Sequence, residues 1–283
     1  METILLPDLG ALRITGADAQ RFLQGQVSSD VTQLSSERSL LAGYHNPQGR
    51  AIALLRLILV APDDILAVLP RELCAPVASR LSKFILRAKV KLEDVSERFN
   101  IHGVVAADDA PPLAPGPAST LVRIAAAPAR WLHISPADGP KMARGDRQRW
   151  RSFDIAGGHP QVYAATCEEF IAQMLNLDAL GAIAFDKGCY TGQEVIARAH
   201  YRGRVKRRMQ RFETAAAQDL IPGAVGRLSD GRAFKVVDAV KRVDGVCEFL
   251  AVTALAVRDE AQQDSQASII EATALPLPYS LPE

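Results

Sequence analysis

The sequence predicts an α+β protein whose last part is all β. Two observations lead there. Up to about residue 106, short alternating or apolar runs are interleaved with two stretches of helical spacing. From Arg204 onward the chain is cut into short apolar runs by turns such as Asp230-Gly231 and Asp244-Gly245, pairs that favour hairpins. Taking the elements in order, Ala11-Leu12-Arg13-Ile14 alternates as a strand does. Thr15-Gly16-Ala17-Asp18 then turns into a helix from Ala19 to Gln24, with Phe22 and Leu23 inward. Ser39–Tyr44 and Ala51–Val60 form a hairpin about the turn Asn46-Pro47-Gln48-Gly49, and the second of these strands is apolar enough to be buried. Ile65–Leu69 follows as a strand. Leu73, Val77, Leu81, Phe84 and Ile85 recur at helical spacing, which predicts a helix over 72–87. Strands are predicted at Lys89–Val95, Phe99–Ala106, Leu121–Ala125 and Trp131–Ile134, and a helix near Pro140–Arg144.

The segment 108–120 is a proline-rich connector, either a linker or a long surface loop. The tail predicts strands at Val205–Phe212, Ala224–Leu228, Ala233–Ala239 and Val246–Val257, arranged as a small barrel. The expected division is 1–203 and 204–283.

Composition narrows the function. With 48% apolar and 23% charged residues the chain is globular rather than disordered. A net charge of +1 supplies no global pull towards nucleic acid or membrane. Cys74, Cys167, Cys189 and Cys247 form no C-x-x-C pair and match no zinc template, so no permanently bound metal is expected. Sparse cysteines and a first segment without signal-peptide character predict a cytoplasmic protein. The longest apolar run, 51–61, is broken by Arg56 and too short to span a bilayer. Phosphate-loop, dinucleotide-binding and nucleophile-elbow motifs are absent, and the histidines at 45, 102, 133, 159 and 200 show no metal-binding pair.

The densest chemistry lies in Lys187-Gly188-Cys189-Tyr190-Thr191-Gly192-Gln193-Glu194. Thr191 and Glu194 have the spacing of a capping box, with Val195, Ile196 and Ala199 as the apolar stripe of the helix that follows. A thiol just ahead of that helix, beside Lys187, is favoured as thiolate, the reactive form. Glycines at 188 and 192 allow tight turns around it. A cysteine alone would read as a small buried hydrophobe; its surroundings favour function.

This octapeptide resembles the K-G-C-x-x-G-Q-E signature of the YgfZ family of folate-binding proteins, relatives of the aminomethyltransferase (T protein) of the glycine cleavage system. The resemblance extends to Ile14–Ala19, Leu23–Val31, Asn176–Ile183, Ile196–Ala199 and Leu277–Leu281, and so covers nearly the whole chain. It implies a three-lobed aminomethyltransferase-like fold, with tetrahydrofolate or a derivative in the central hole and a C-terminal barrel. It also implies a role in assembly, repair or maintenance of iron–sulfur enzymes, supporting tRNA modification indirectly. Cys189 would be the reactive thiol and Lys187 its cation. Trp150 would stack on the pterin, and Leu9 falls where a second aromatic contact is expected. Asp154 would replace an acid expected at Ala156, on the same face if the segment is extended. Gln24, Tyr190, Gln193, Glu194 and Arg198 complete the implied folate site. Implied partners are iron–sulfur client enzymes or assembly proteins. Membranes are not among them, nor is nucleic acid, because the basic run from Arg198 to Arg211 has Tyr201 as its one Phe, Tyr or Trp and so lacks aromatics interleaved along it for base stacking.

One departure matters. Aminomethyltransferases carry an acidic pair after a turn like Asn46–Gly49, and this chain has Ala53 and Leu54 there. Neither stabilises a cationic transition state, which argues against glycine-cleavage activity. The alternative, a folate-dependent one-carbon transferase on another substrate, needs Asp30, Asp154 or Glu194 as its acid.

Overall fold

A strand that is apolar on both sides needs cover on both faces, and the structure is organised around meeting that need for 51–61. The computed structural model describes every residue except 108–109, 115, 117, 140–144, 216–219, 257–268 and 283. The chain opens with β1 (Glu2–Leu5), β2 (Leu9–Thr15), α1 (Ala19–Gln24), β3 (Leu40–His45), β4 (Ala51–Ala61) and β5 (Asp64–Pro70). Helix α2 (Arg71–Ser82) leads to β6 (Lys91–Asp94), β7 (Phe99–Ala106), β8 (Thr120–Ala126) and β9 (Ala129–Pro136). Helices α3 (Arg147–Ala156) and α4 (Gln193–Tyr201) bracket a stretch of loops and short 3₁₀ turns. The tail forms β10 (Arg207–Thr214), β11 (Val225–Leu228), β12 (Ala233–Lys241), β13 (Cys247–Ala254), β14 (Ile269–Ile270) and β15 (Thr273–Leu275).

Three sheets result. The central one has the order β3-β4-β5-β2-β6 and the second β1-β7-β9-β8; the third, from the tail, is β14-β11-β12-β13-β10-β15. One face of the central sheet (Ala11, Ile58, Leu66, Val68) packs on Ile4, Ile101, Leu132 and Ile134 of the second sheet. The other face (Leu12, Ala53, Leu55, Leu57) packs on α1, α2 and the 162–196 stretch, with Met209, Val237 and Leu250 of the third sheet. The β4 strand therefore has almost no solvent side, which explains its unbroken apolar run.

Two strands joined by only Glu271 and Ala272 occupy the opposite edges of the third sheet. So short a link forces the sheet to curl until its edges approach, around a stack of Phe212, Phe249 and Phe234 with ring centres 5.4 and 5.7 Å apart. It is a curled half-barrel. No β14–β15 pairing closes it among the described residues.

Some expectations shift. The predicted helix over 72–87 ends at Ser82: the chain winds on through tighter turns, and Leu86 takes a left-handed φ of 46°, which no helix accommodates. Helical spacing outlasts the helix because Ile85 still packs on the core from a turn. The helix predicted near 140–144 lies outside the described residues. Instead α3 starts at Arg147, capped by Asp146, whose carboxylate accepts from the Gln148 amide at 2.8 Å. β7 and β8 both flank β9, so the proline-rich connector runs between strands of one sheet.

Buried polar groups tie the tail to the rest. Arg208 donates to both Asp178 oxygens at 2.9 and 2.8 Å, with both side chains nearly inaccessible. Asn176, at φ 57°, donates to the Met209 carbonyl at 2.9 Å. At the far end, Tyr279 donates its hydroxyl to the Gly158 carbonyl at 2.7 Å. Replacing one partner of a buried pair strands the other charge. Arg208→Met is therefore expected to cost about 3–5 kcal/mol in urea unfolding, while Arg204→Met on the exposed run costs within about 0.5 kcal/mol.

Candidate functional site

A cavity of about 1160 Å³ opens where the three sheets meet. The second sheet contributes Ile124 and Leu132, with Leu6 just beyond β1; the central sheet contributes Leu9, Leu41, Leu54, Arg56 and Val68; β12 contributes Asp238. Helix α3 forms a wall with Trp150, Arg151 and Asp154. Period-two alternation decides what β4 shows. Leu54 and Arg56 line the cavity, whereas Ala53 points the other way. Of the two positions where the transferases carry acids, only Leu54 meets the cavity, and it brings no charge.

The polar wall is mostly paired. The guanidinium of Arg130, 1% exposed, donates to Asp154 at 2.6 Å, sits 3.0 Å from His159 Nδ1, and lies 4.9 Å from the centre of the Trp150 ring. Burial pulls His159 down to about 4, so it is neutral near pH 7. Asp238 sits at a β-bulge in β12. There it accepts from Arg151 at 2.5 Å and from the Tyr163 hydroxyl at 3.0 Å. Burial pushes both the Asp238 carboxyl and the Tyr163 phenol up.

The predicted site residues fall into two groups. Trp150, Leu9 and Asp154 line the cavity. Trp150 is 6% exposed, with Arg130 over its ring and the Gly103 backbone so close that an added Cβ would meet ring carbons at 2.4 Å. Asp154 and Ala156 do not share a face: the segment is helical, which sets them about 200° apart. Asp154 reaches the cavity nonetheless.

Gln24, Lys187, Cys189, Tyr190, Gln193, Glu194 and Arg198 do not line the cavity. Several of them organise the loop after α1. Gln24 donates to Asp30 at 2.9 Å and accepts from the Val31 amide at 2.7 Å. Lys187 donates to the carbonyls of Val27 and Ser29 at 2.8 and 2.7 Å and lies 5.2 Å from the centre of the buried Tyr190 ring. Its ammonium is thus engaged by that loop. Gln193 donates to the Lys187 carbonyl at 3.5 Å. Cys189 is exposed, the other cysteines buried or half-buried. Glu194 and Arg198 are exposed and form no ion pair with each other.

The capping box does not form. The N-cap of α4 is Gly192 at φ 84°, with no side-chain cap. A Cβ there would lie 2.6 Å from the Asn46 carbonyl and 3.0 Å from Gly49 Cα, so α4 docks on the hairpin turn through two glycines. Gly188 has no positive φ and open space around it, so the tight turn expected there is absent.

Sequence reasoning missed Arg56, Arg130, Tyr163 and Asp238. The one available signal was Arg56, a lone charge inside an apolar strand.

No protein-family model matches the chain. It is 31% identical to the tRNA-modifying protein YgfZ of Escherichia coli O157:H7, over 98% of this chain and 93% of that protein. It is 31% identical to the tRNA-modifying protein YgfZ of Edwardsiella ictaluri, over 97% and 91%. Among solved structures, the glycine cleavage system aminomethyltransferase T from Bartonella henselae matches with a TM-score of 0.69 at 12% identity, covering 89% of this chain and 78% of that one. Among the described residues no helix is long and apolar enough to cross a membrane, and no group of three His, Cys, Asp or Glu side chains could hold a metal ion.

Burial lowers Lys187 from the ordinary 10.5 to about 8, partly offset by Asp30. The unfolded chain then binds more protons than the folded one between about pH 8 and 10.5, so stability rises with pH across that window. Wild type is expected to gain urea resistance relative to Lys187→Met as pH is raised from 8 to 10. Parallel curves would show that the ammonium is not desolvated.

Proposed function

We propose that this chain, which belongs to the YgfZ family of tRNA-modifying proteins, is a folate-binding accessory protein for assembly, repair or maintenance of iron–sulfur enzymes, and that its effect on tRNA modification runs through those enzymes. The observation that carries the reading is the cavity, set in an aminomethyltransferase fold. At about 1160 Å³ it exceeds the roughly 300–1,000 Å³ of ordinary small-molecule sites, which leaves room for a pterin and its tail. Its lining suits a flat heterocycle. Leu9, Leu54 and Trp150 offer apolar contact, and Asp154 offers acceptors to ring N–H groups. A bound tetrahydrofolate would supply an amine that carries one-carbon units. Leu54 holds no charge against a developing cation, so the chain's own residues support binding better than transfer.

Cys189 is the second element of the proposal. It is the accessible thiol, outside the cavity, on the approach to α4. There it is open to a client enzyme, an assembly protein or an oxidised thiol. Lys187 acts by holding the segment to the 27–29 loop. The setting is the cytoplasm, where free thiols persist.

A second reading, one-carbon transfer to an unidentified substrate, has one observation in its favour. Of Asp30, Asp154 and Glu194, Asp154 alone lines the cavity. Its carboxylate is already held by Arg130. Turnover of methylene-tetrahydrofolate by the purified protein would establish that reading.

Tetrahydrofolate titration followed by tryptophan fluorescence is expected to saturate, and to weaken by about tenfold or more in Trp150→Ala, with Trp131 as internal reporter. No binding by the intact protein would sink the folate assignment. Cys189→Ser is expected to fold normally, by circular dichroism and thermal midpoint, and to fail to rescue a deletion strain. Full rescue would refute a role for the thiol.

A further inference from the structure

We propose that Arg56 is the anion anchor of the cavity: its guanidinium takes a carboxylate of the bound molecule, so that the site selects acidic, folate-like ligands over neutral pterins. The identity of the ligand rests on the folate reading; the anion site does not.

Arg56 sits opposite Leu41 on β3 and Val68 on β5, and all three line the cavity. It is a cation in the middle of an apolar row. A leucine would pack that row without desolvating a charge. The guanidinium makes no hydrogen bond or ion pair among the described residues, although it carries five donors.

Its neighbours are taken. Arg71 is bound by Glu97 and the Pro7 carbonyl, Arg147 by Asp8, Arg151 by Asp238 and Arg130 by Asp154. Asp154 is the carboxylate whose charge acts on Arg56, and it is the one that Arg130 holds. Among the arginines that line the cavity, Arg56 is the one with no carboxylate in bonding reach among the described residues, and His159 nearby is neutral near pH 7. Burial pulls Arg56 down to about 10, offset in part by Asp154 and reinforced by Arg130, as expected for a cation without its counter-ion. A carboxylate supplies that charge and fits the planar fork with two parallel hydrogen bonds.

The test compares wild type with Arg56→Met, which keeps length and removes charge. Calorimetric titration uses tetrahydrofolate and 6-methyl-tetrahydropterin, which has the ring and no carboxylate. The variant is expected to lose about tenfold or more for tetrahydrofolate and nothing for the pterin. Its apo thermal midpoint is expected to equal or exceed that of wild type, because an unpaired, half-buried charge has been removed from an apolar row. An equal loss for both ligands, no loss for tetrahydrofolate, or a clearly lower apo midpoint would overturn the proposal; the last would mean that Arg56 is structural. If wild type binds neither ligand, the folate reading falls alone, and glutarate decides. A rise in thermal midpoint with glutarate in wild type and not in Arg56→Met supports the anion site, and equal behaviour overturns it.

Discussion

The rest of the structure depends on the burial of the central sheet on both faces. A strand such as β4, apolar along both sides, leaves no surface that water can cover cheaply. One face takes the second sheet; the other takes helices, loops and the curled third sheet. The cavity lies at the junction of these covers, where none fully meets the next. Its lining is consequently drawn from all three sheets. Charges at its wall pair with a partner: Asp154 with the buried Arg130 behind it, and Arg151 with the buried Asp238. Arg56, on the most deeply covered strand, is the exception.

Cavity and thiol are separate places joined by one element. The β3–β4 hairpin carries Leu54 and Arg56 on its cavity face and the Asn46–Gly49 turn at its tip. That turn receives the start of α4 through the Gly49–Gly192 approach. Asn46 secures it by accepting from the amides of Gln48 and Arg50 and by donating to Glu168, which Arg80 also holds. The segment around Cys189 is thus anchored on the same hairpin that floors the cavity, and Lys187 anchors it a second time on the loop after α1.

The fold of a glycine-cleavage aminomethyltransferase does not bring that enzyme's chemistry with it. What the cavity retains is shape, apolar contact and a few oriented polar groups. What it lacks on β4 is negative charge, since Leu54 stands at the lining position. Catalysis of transfer requires charge placed for the transition state, and β4 places none there.

Local pattern was enough for the strands of the central sheet, for β7, β8 and β9 of the second, for α1 and for the hairpins of the tail, because period, turn residues and apolar runs are properties of neighbouring residues; β1 it missed. It misjudged the cap of α4. Thr191 and Glu194 have the right spacing, yet close packing against Gly49 sets Gly192 in a left-handed turn as the cap. It also missed α3, although Asp146 followed by Trp150 and Phe153 had a cap and helical spacing to offer. By itself the sequence determined the fold class, the family and the missing acids at Ala53 and Leu54. Only the tertiary structure decided that Leu54 and not Ala53 faces the cavity, that Cys189 stands outside it, and that Arg56 enters it without a partner among the described residues. Those facts depend on which face each element turns to elements distant in the chain, and burial and pairing exist only once those faces have met.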